Sequence, residues 1–206
     1  MAAPVAVALV HYPVLDRARN IVATNITNFD IHDIARACEV YGVERYYLVH
    51  PMKDQQMFVA RILDHWRVGE GSKFNPMRRT ALADVFPVES LEEARRHWEN
   101  YWEDHKLGGQ VPPQSSGGGR VRVIGTSARE IEGPRLYRFS ELKTELAQSE
   151  TPHLLVFGTG FGMTEDLVRG FDGLLEPIRG APPKDYRHLS VRSAVSICLD
   201  RLLGSW

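Results

Sequence analysis

Short apolar runs alternate along this chain with stretches in which apolar residues recur every three or four positions. Residues 5–10 (VAVALV) form an uninterrupted apolar run, as expected of a buried first strand. After Thr27-Asn28-Phe29-Asp30, the residues Ile31, Ile34, Ala35, Cys38 and Tyr41 follow at helical spacing, with a polar cap ahead of them and Gly42 as a stop. RYYLVH, residues 45–50, is a second strand ended by Pro51, and residues 54–68 carry Met57, Val59, Ile62, Leu63 and Trp66 on a second helix. Residues 69–84 mix Gly, Pro and two arginines and read as an excursion. A short strand at 85–88 precedes a helix that enters through Ser90-Leu91-Glu92-Glu93 and runs to about His105. Residues 121–126 are a strand, 137–146 a helix, and HLLVF at 153–157 a buried strand running into Gly158-Thr159-Gly160-Phe161-Gly162. A helix opens at Thr164, a last short strand covers 173–177, and residues 190–203 close the pattern with Val191, Ala194, Val195, Ile197, Cys198, Leu199, Leu202 and Leu203 on an apolar face. Residues 21–24 are too short to assign. Strands alternating with helices predict an α/β fold built on a mainly parallel sheet flanked by helices.

Composition adds limits to that picture. The 206 residues suit one domain, with 69–84 as its excursion and residues 106–120 (KLGGQVPPQSSGGGR) as a flexible loop. No apolar run approaches the roughly 20 residues of a membrane span, and the first residues read as a strand rather than a leader, so a cytoplasmic protein without a membrane partner is expected. Cys38 and Cys198 both sit in apolar helical patterns and read as reduced core residues, and no Cys or His cluster has metal-ligand spacing. The 25 Lys and Arg against 26 Asp and Glu give no overall basic surplus, so any grip on nucleic acid must come from a local patch. Arg17, Arg19, Arg78, Arg79, Arg120, Arg122, Lys184, Arg187 and Arg192 are available for one, with Arg78 and Arg79 suited to guiding a substrate.

Three segments carry candidate chemistry. HLLVFGTGFGM (153–163) opens a strand onto three glycines, placing bare backbone at the carboxyl edge of a sheet, where α/β proteins bind ligands. Its G-x-G-x-G spacing is neither a dinucleotide fingerprint nor a phosphate loop, and a plain tight turn fits it too. LEPIRG (175–180) followed by HLSVRSA (188–194) pairs a Gly loop with a helix start at which Ser190 also reads as a simple cap. Asn28 stands just before the first helix and Arg36 about two turns into it; Arg36 either pairs with Asp33 or Glu39 or presents a fixed charge to a cleft.

These segments resemble the three motifs of the SPOUT (α/β-knot) superfamily of S-adenosylmethionine-dependent RNA methyltransferases. TNFDIHDIARACEVYGV is similar to the first, VFGTGFGM to the second, and LEPIRGAPPKDYRHLSVRSAVSICLDRLLG to the third. The chain as a whole resembles a stand-alone bacterial branch of predicted RNA methyltransferases. The resemblance implies a deep trefoil knot in the C-terminal third, an exception to the usual unknotted topology. It implies S-adenosylmethionine bound by Phe157, Gly158, Thr159 and Gly162 of the second motif and by Ile178, Gly180, Leu189, Ser190 and Ser193 of the third. It also implies a homodimer packed through the first and last helices, an acceptor in tRNA or rRNA rather than DNA, and Arg36 and Asn28 as the catalytic pair. Arg36 would polarise the acceptor or take its proton, Asn28 would position it, and Arg192 is an alternative phosphate ligand. The acidic residue usual in the second motif of the ribose-methylating subgroup is absent around Gly160, Ser190 stands where that subgroup has Asn, and no segment matches an appended RNA-binding domain. These departures leave open the acceptor atom, a protein or small-molecule acceptor, and a non-catalytic donor-binding role.

Overall fold

The computed structural model describes residues 3–106 and 121–205 of the chain; the flexible loop expected at 106–120, with Arg120, falls almost wholly outside the described residues. Seven strands form one sheet: β1 (Val5–Val10), β4 (Arg45–Val49), β5 (Val85–Val88), β6 (Arg122–Thr126), β7 (Leu136–Tyr137), β8 (His153–Gly158) and β9 (Gly173–Leu175). Their order is β5-β4-β1-β8-β6-β9-β7, and every pairing is parallel. The strands β2 (Val14–Leu15) and β3 (Ile21–Val22) make a separate antiparallel ribbon.

The apolar run of β1 is explained by where it lies. All six of its residues are buried, and the pleat sends alternate side chains to opposite faces. Val5, Val7 and Leu9 join a core with α1 (Asn28–Val40), α2 (Lys53–Arg67), α6 (Phe139–Gln148) and α8 (Val191–Leu203). Ala6, Ala8 and Val10 join the opposite core with α5 (Leu91–Lys106) and α7 (Glu165–Arg169). The first and last helices lie side by side and point the same way: Arg192 pairs with Asp33 at 3.4 Å near their starts, and the Tyr41 hydroxyl donates to Asp200 at 3.0 Å near their ends. Their apolar residues, Ile31, Ile34, Ala35 and Cys38 on α1 and Val195, Cys198, Leu199 and Leu202 on α8, are used up in the chain's own core. Cys38 and Cys198 are free and buried.

Several element bounds differ from the sequence pattern. The excursion at 69–84 contains two short helices, α3 (Glu70–Phe74) and α4 (Pro76–Ala81), the second capped by the Asn75 side chain with Pro at its first position. Tyr137 belongs to the edge strand β7, and the helix after it starts at Phe139. Asn28 is the first residue of α1, because Thr27 is the cap: its hydroxyl accepts from the Asp30 N–H while the Asp30 carboxylate accepts from the Thr27 N–H. The last strand stops at Leu175 and leaves residues 176–190 as a long connection into α8.

That connection follows an unusual strand sequence. The chain lays down β6 and the edge strand β7, returns to set β8 between β1 and β6, then sets β9 between β6 and β7. Two late strands are thus inserted between earlier ones, and the loops after β6, β8 and β9 converge at one edge of the sheet.

Candidate functional site

At that edge the carboxyl ends of β8, β6 and β9 open into a cavity of about 630 Å³. Its walls are residues 126–129 after β6, 157–162 at the end of β8, 176–178 after β9, and 187–191 leading into α8, with Ala194 and Cys198 on that helix. Of the nine residues expected to hold a donor, Phe157, Gly158, Thr159, Gly162, Ile178, Leu189 and Ser190 line this cavity. The other two stand behind the lining. A side chain on Gly180 would strike the Tyr186 backbone, so that glycine lets the 180–186 loop close. Ser193 donates its N–H to Ser190 Oγ at 3.3 Å, which makes Ser190 the cap of α8 as well as a wall residue.

The glycine loop needs its glycines for conformation and for space. Gly160 and Gly162 have φ of +60° and +98°, in the left-handed region. A Cβ on Gly160 would stand 2.9 Å from the Leu15 carbonyl oxygen. That approach is required because Leu15 zips the loop down: its carbonyl accepts from the Phe161 N–H, and its N–H donates to the Gly162 carbonyl, both at 2.9 Å.

A part-buried relay holds the same loop in place. The Thr159 hydroxyl donates to the Val10 carbonyl at 3.1 Å, so it must accept from the Thr24 hydroxyl 2.5 Å away. Thr24, its proton spent, accepts in turn from His11 Nδ1 at 3.0 Å. His11 is therefore the neutral Nδ1–H tautomer, and its buried Nε2 has no partner. Protonation would place a charge there without an acceptor, and burial lowers the imidazole from its usual 6.5 to about 4. Because the folded value lies below the unfolded one, this contribution to stability is fully present above about 6.5 and is lost as pH falls towards 4. Acidification from pH 7 to pH 5 is expected to cost about 2 kcal/mol through His11. Urea unfolding at both pH values checks this, and a His11→Gln variant with an equally steep loss would remove His11 as the cause.

Three charged groups stand in the cavity wall; Glu176 and Arg187 fall within the third motif, whereas nothing in the motifs marks Arg129. Arg129, after β6, keeps its Nη2 buried with no partner, 3.1 Å from where a Cβ on Gly162 would lie. Arg187 is held by Asp185, and Glu176 accepts from the Phe139 N–H at 2.8 Å. Cys198 also lines the cavity, but burial pushes its thiol up to about 12, so it is no thiolate nucleophile at neutral pH.

Asn28 and Arg36 do not join this group. Arg36 is exposed, lines neither this cavity nor the second cleft described next, and has no ion pair among the described residues; Asp33, one of its expected partners, pairs with Arg192 instead. Asn28 lines a second cleft, of about 600 Å³, between α1, α2 and α4. Several members of the expected basic patch are already paired. Arg19 pairs with Glu165, Arg122 with Glu145 at the far end of β6, and Arg187 with Asp185.

Residues 4–204 match a family described as SAM-dependent RNA methyltransferase. The chain belongs to this family. An uncharacterized protein of Aquifex aeolicus is 37% identical over 198 residues, covering 96% of this chain and 87% of that one. Proteins named tRNA (guanine-N(1)-)-methyltransferase from Nitratidesulfovibrio vulgaris and Oleidesulfovibrio alaskensis are 38% and 40% identical over 197 residues. This chain spans 96% of itself in those matches but only 41% of each relative, so the named guanine activity stays with those longer proteins. Among solved structures, TrmJ from Z. mobilis ZM4 aligns with a TM-score of 0.60 at 13% identity, covering 100% of this chain and 70% of that one. The SpoU methyltransferase AviRb from Streptomyces viridochromogenes, in complex with the cofactor AdoMet, aligns with a TM-score of 0.51 at 12% identity over 98% of this chain and 58% of that one. At such identities these structures show the fold, which is that of the SpoU/TrmH (SPOUT) methyltransferases.

The methyl donor of this RNA methyltransferase is S-adenosylmethionine, and the cavity at the sheet edge fits it. The volume is in the range of nucleoside-sized pockets. Phe157, Ile178 and Leu189 are apolar lining of the kind a purine needs, beside the loops at 158–162 and 176–178. The unpartnered Arg129 Nη2 is a charge-assisted donor suited to a carboxylate. Among the described residues, no helix is long and apolar enough to cross a membrane.

Proposed function

We propose that this chain methylates a nucleotide of tRNA or rRNA in the cytoplasm, with the donor held in the cavity at the carboxyl ends of β6, β8 and β9. The observation that carries the reading is the convergence there of three loops beside Arg129, whose Nη2 is buried and unpaired. In this reading Phe157, Gly158, Thr159, Gly162, Ile178, Leu189 and Ser190 touch the donor, and Gly180 and Ser193 fix the loops that do. Arg129 takes the donor's carboxylate. The two inserted strands and the 176–190 connection are the segments that would be threaded as the trefoil knot.

S-adenosylmethionine supplies a methyl carbon made electrophilic by its sulfonium. The protein's task is alignment of acceptor, carbon and sulfur, with water kept out. Arg36 fixes and polarises the acceptor by its charge, and Asn28 orients it. Neither residue lines the donor cavity of its own chain, which favours a homodimer whose second copy brings α1 to the donor.

Transfer of methyl label from S-adenosylmethionine into total RNA and total protein tests the acceptor, and mapping the labelled nucleotide names it. Label in protein alone would sink the RNA reading. Arg36→Ala is expected to lower turnover by about 100-fold or more while donor affinity stays within about twofold. Unchanged turnover would remove Arg36 from the site, and a monomer in sedimentation that still turns over would remove the dimer.

A further inference from the structure

The second cleft lies outside the donor cavity and has chemistry of its own. Its walls include Phe29 and His32 from α1, Phe58, Arg61 and Trp66 from α2, and Arg78 from α4. Phe29 is 64% and Phe58 38% exposed, an unusual amount of bare ring for two neighbouring helices. The Arg78 guanidinium lies over the Trp66 ring at 4.6 Å, which turns the arginine into a flat, charged shelf. Two polar atoms in this cleft are buried and unpartnered, Arg78 Nε and His32 Nδ1. Neither Arg61 nor Arg78 has a carboxylate partner among the described residues, and the one acid of the wall, Asp33, is taken by Arg192. Burial and the nearby Arg78 charge hold His32 below its usual value, so near neutral pH its ring is an uncharged hydrogen-bonding edge.

Stacking surfaces, uncommitted guanidinium groups and a neutral hydrogen-bonding edge in one cleft match a nucleotide unit of single-stranded RNA. Bases of every sequence have a face to stack on aromatic or guanidinium planes, and the phosphate meets the charges. The cleft also borders the donor cavity. Arg192 covers the Phe29 ring at 5.1 Å, and the preceding residue, Val191, lines the donor cavity, so the Phe29–Arg192 pair forms a rib between the two.

We propose that the cleft between α1, α2 and α4 is a second substrate subsite, which holds an unpaired nucleotide neighbouring the one methylated, with its base on Phe58 and the Arg78 shelf and its phosphate on Arg61 and Arg78. The proposal rests on the RNA-methyltransferase reading and extends it to substrate selection. It narrows the expected guiding pair: Arg78 lines the cleft, whereas Arg79 is exposed and does not.

The test is fluorescence anisotropy of the full chain with a labelled, mixed-sequence 12-nucleotide single-stranded RNA over a salt series. The Arg61→Ala/Arg78→Ala variant is expected to bind roughly 10-fold or more weakly, with a log–log salt slope smaller by about 1.4, the value for two phosphate contacts on a single strand. Phe58→Ala, an exposed change that leaves the helices packed, is expected to weaken binding about 5-fold or more through lost stacking. Arg79→Ala, which removes one exposed positive charge outside the cleft, is the control and should stay within about twofold. Calorimetry should show S-adenosylmethionine affinity unchanged in all of them. Unaltered RNA affinity and slope in both cleft variants would overturn the subsite, as would loss of RNA binding that tracks loss of self-association, which would assign the cleft to an interface between copies. If the wild-type chain ignores the oligonucleotide, the subsite also falls; methyl transfer into total RNA then shows whether the wider reading survives.

Discussion

Ala194→Phe is expected to abolish uptake of S-adenosylmethionine without unfolding the protein. Ala194 sits one turn past the Ser190 cap on α8 and lines the same cavity as the glycine loop residues. The residue is only partly buried, and its neighbour Val195 is the one that faces the core, so a larger side chain at 194 grows into the cavity and not into packed helices. A benzyl group there occupies space that a purine nucleoside needs, and the loops facing it are tied down by Leu15 and by the Thr159–Thr24–His11 relay, so they cannot give way cheaply. The expected loss in donor affinity is about 1,000-fold or more, roughly 4 kcal/mol. Calorimetry measures it, and a melting curve like that of the wild type shows that the fold survives. Undiminished binding would mean that the donor lies elsewhere.

The largest stability loss is expected from Trp98→Ala. Trp98 on α5 is fully buried in the core on one face of the sheet, and its Nε1–H donates to the His153 carbonyl at 3.2 Å, at the start of the central strand β8. Its ring also stacks on Tyr101 at 5.6 Å, and the Arg45 guanidinium lies 3.7 Å from the Tyr101 ring centroid, so α5 is pinned to β4 as well. Truncation empties a large site that the surrounding strands cannot refill, at a cost of about 3–5 kcal/mol. For a chain of this size that is a drop in Tm of roughly 6–20 °C. Trp98→Phe keeps much of the apolar volume and gives up the hydrogen bond, so about 2 kcal/mol is expected there. Calorimetric melting of both variants separates the two contributions; equal losses would mean that the hydrogen bond, not the volume, dominates.

Much of the fold was readable because its signals are local. The unbroken apolar run of β1 reports burial on both faces, and the helical spacing of Ile31, Ile34, Ala35 and Cys38 reports one buried face. Where the outcome depends on distant partners, the pattern misleads. Tyr137 looks like the first apolar residue of a helix, but β9 captures it as an edge strand, and the helix starts two residues later. The short helix α4 was within reach, since Asn75-Pro76 is a cap followed by a proline suited to the first turn. The glycine loop and the 188–194 segment, both of which line the sheet-edge cavity, are legible because each puts a local signal, a strand opening onto glycines or a Gly loop ahead of a capped helix, at a sheet edge. Arg129 escaped notice, since nothing in its own neighbourhood marks it; only the fold brings it beside Gly162. The second cleft is harder still to foresee. Its residues come from three helices and satisfy no shared spacing.

The late insertion of β8 has a consequence for synthesis on the ribosome. Val5 on β1 pairs with His153, so one whole edge of β1 waits until the chain has grown past Gly158. Until then the nascent protein presents the unpaired backbone of an apolar strand, a template for pairing with other chains. Products terminated before that point should therefore be sticky and short-lived, however complete their N-terminal helices are.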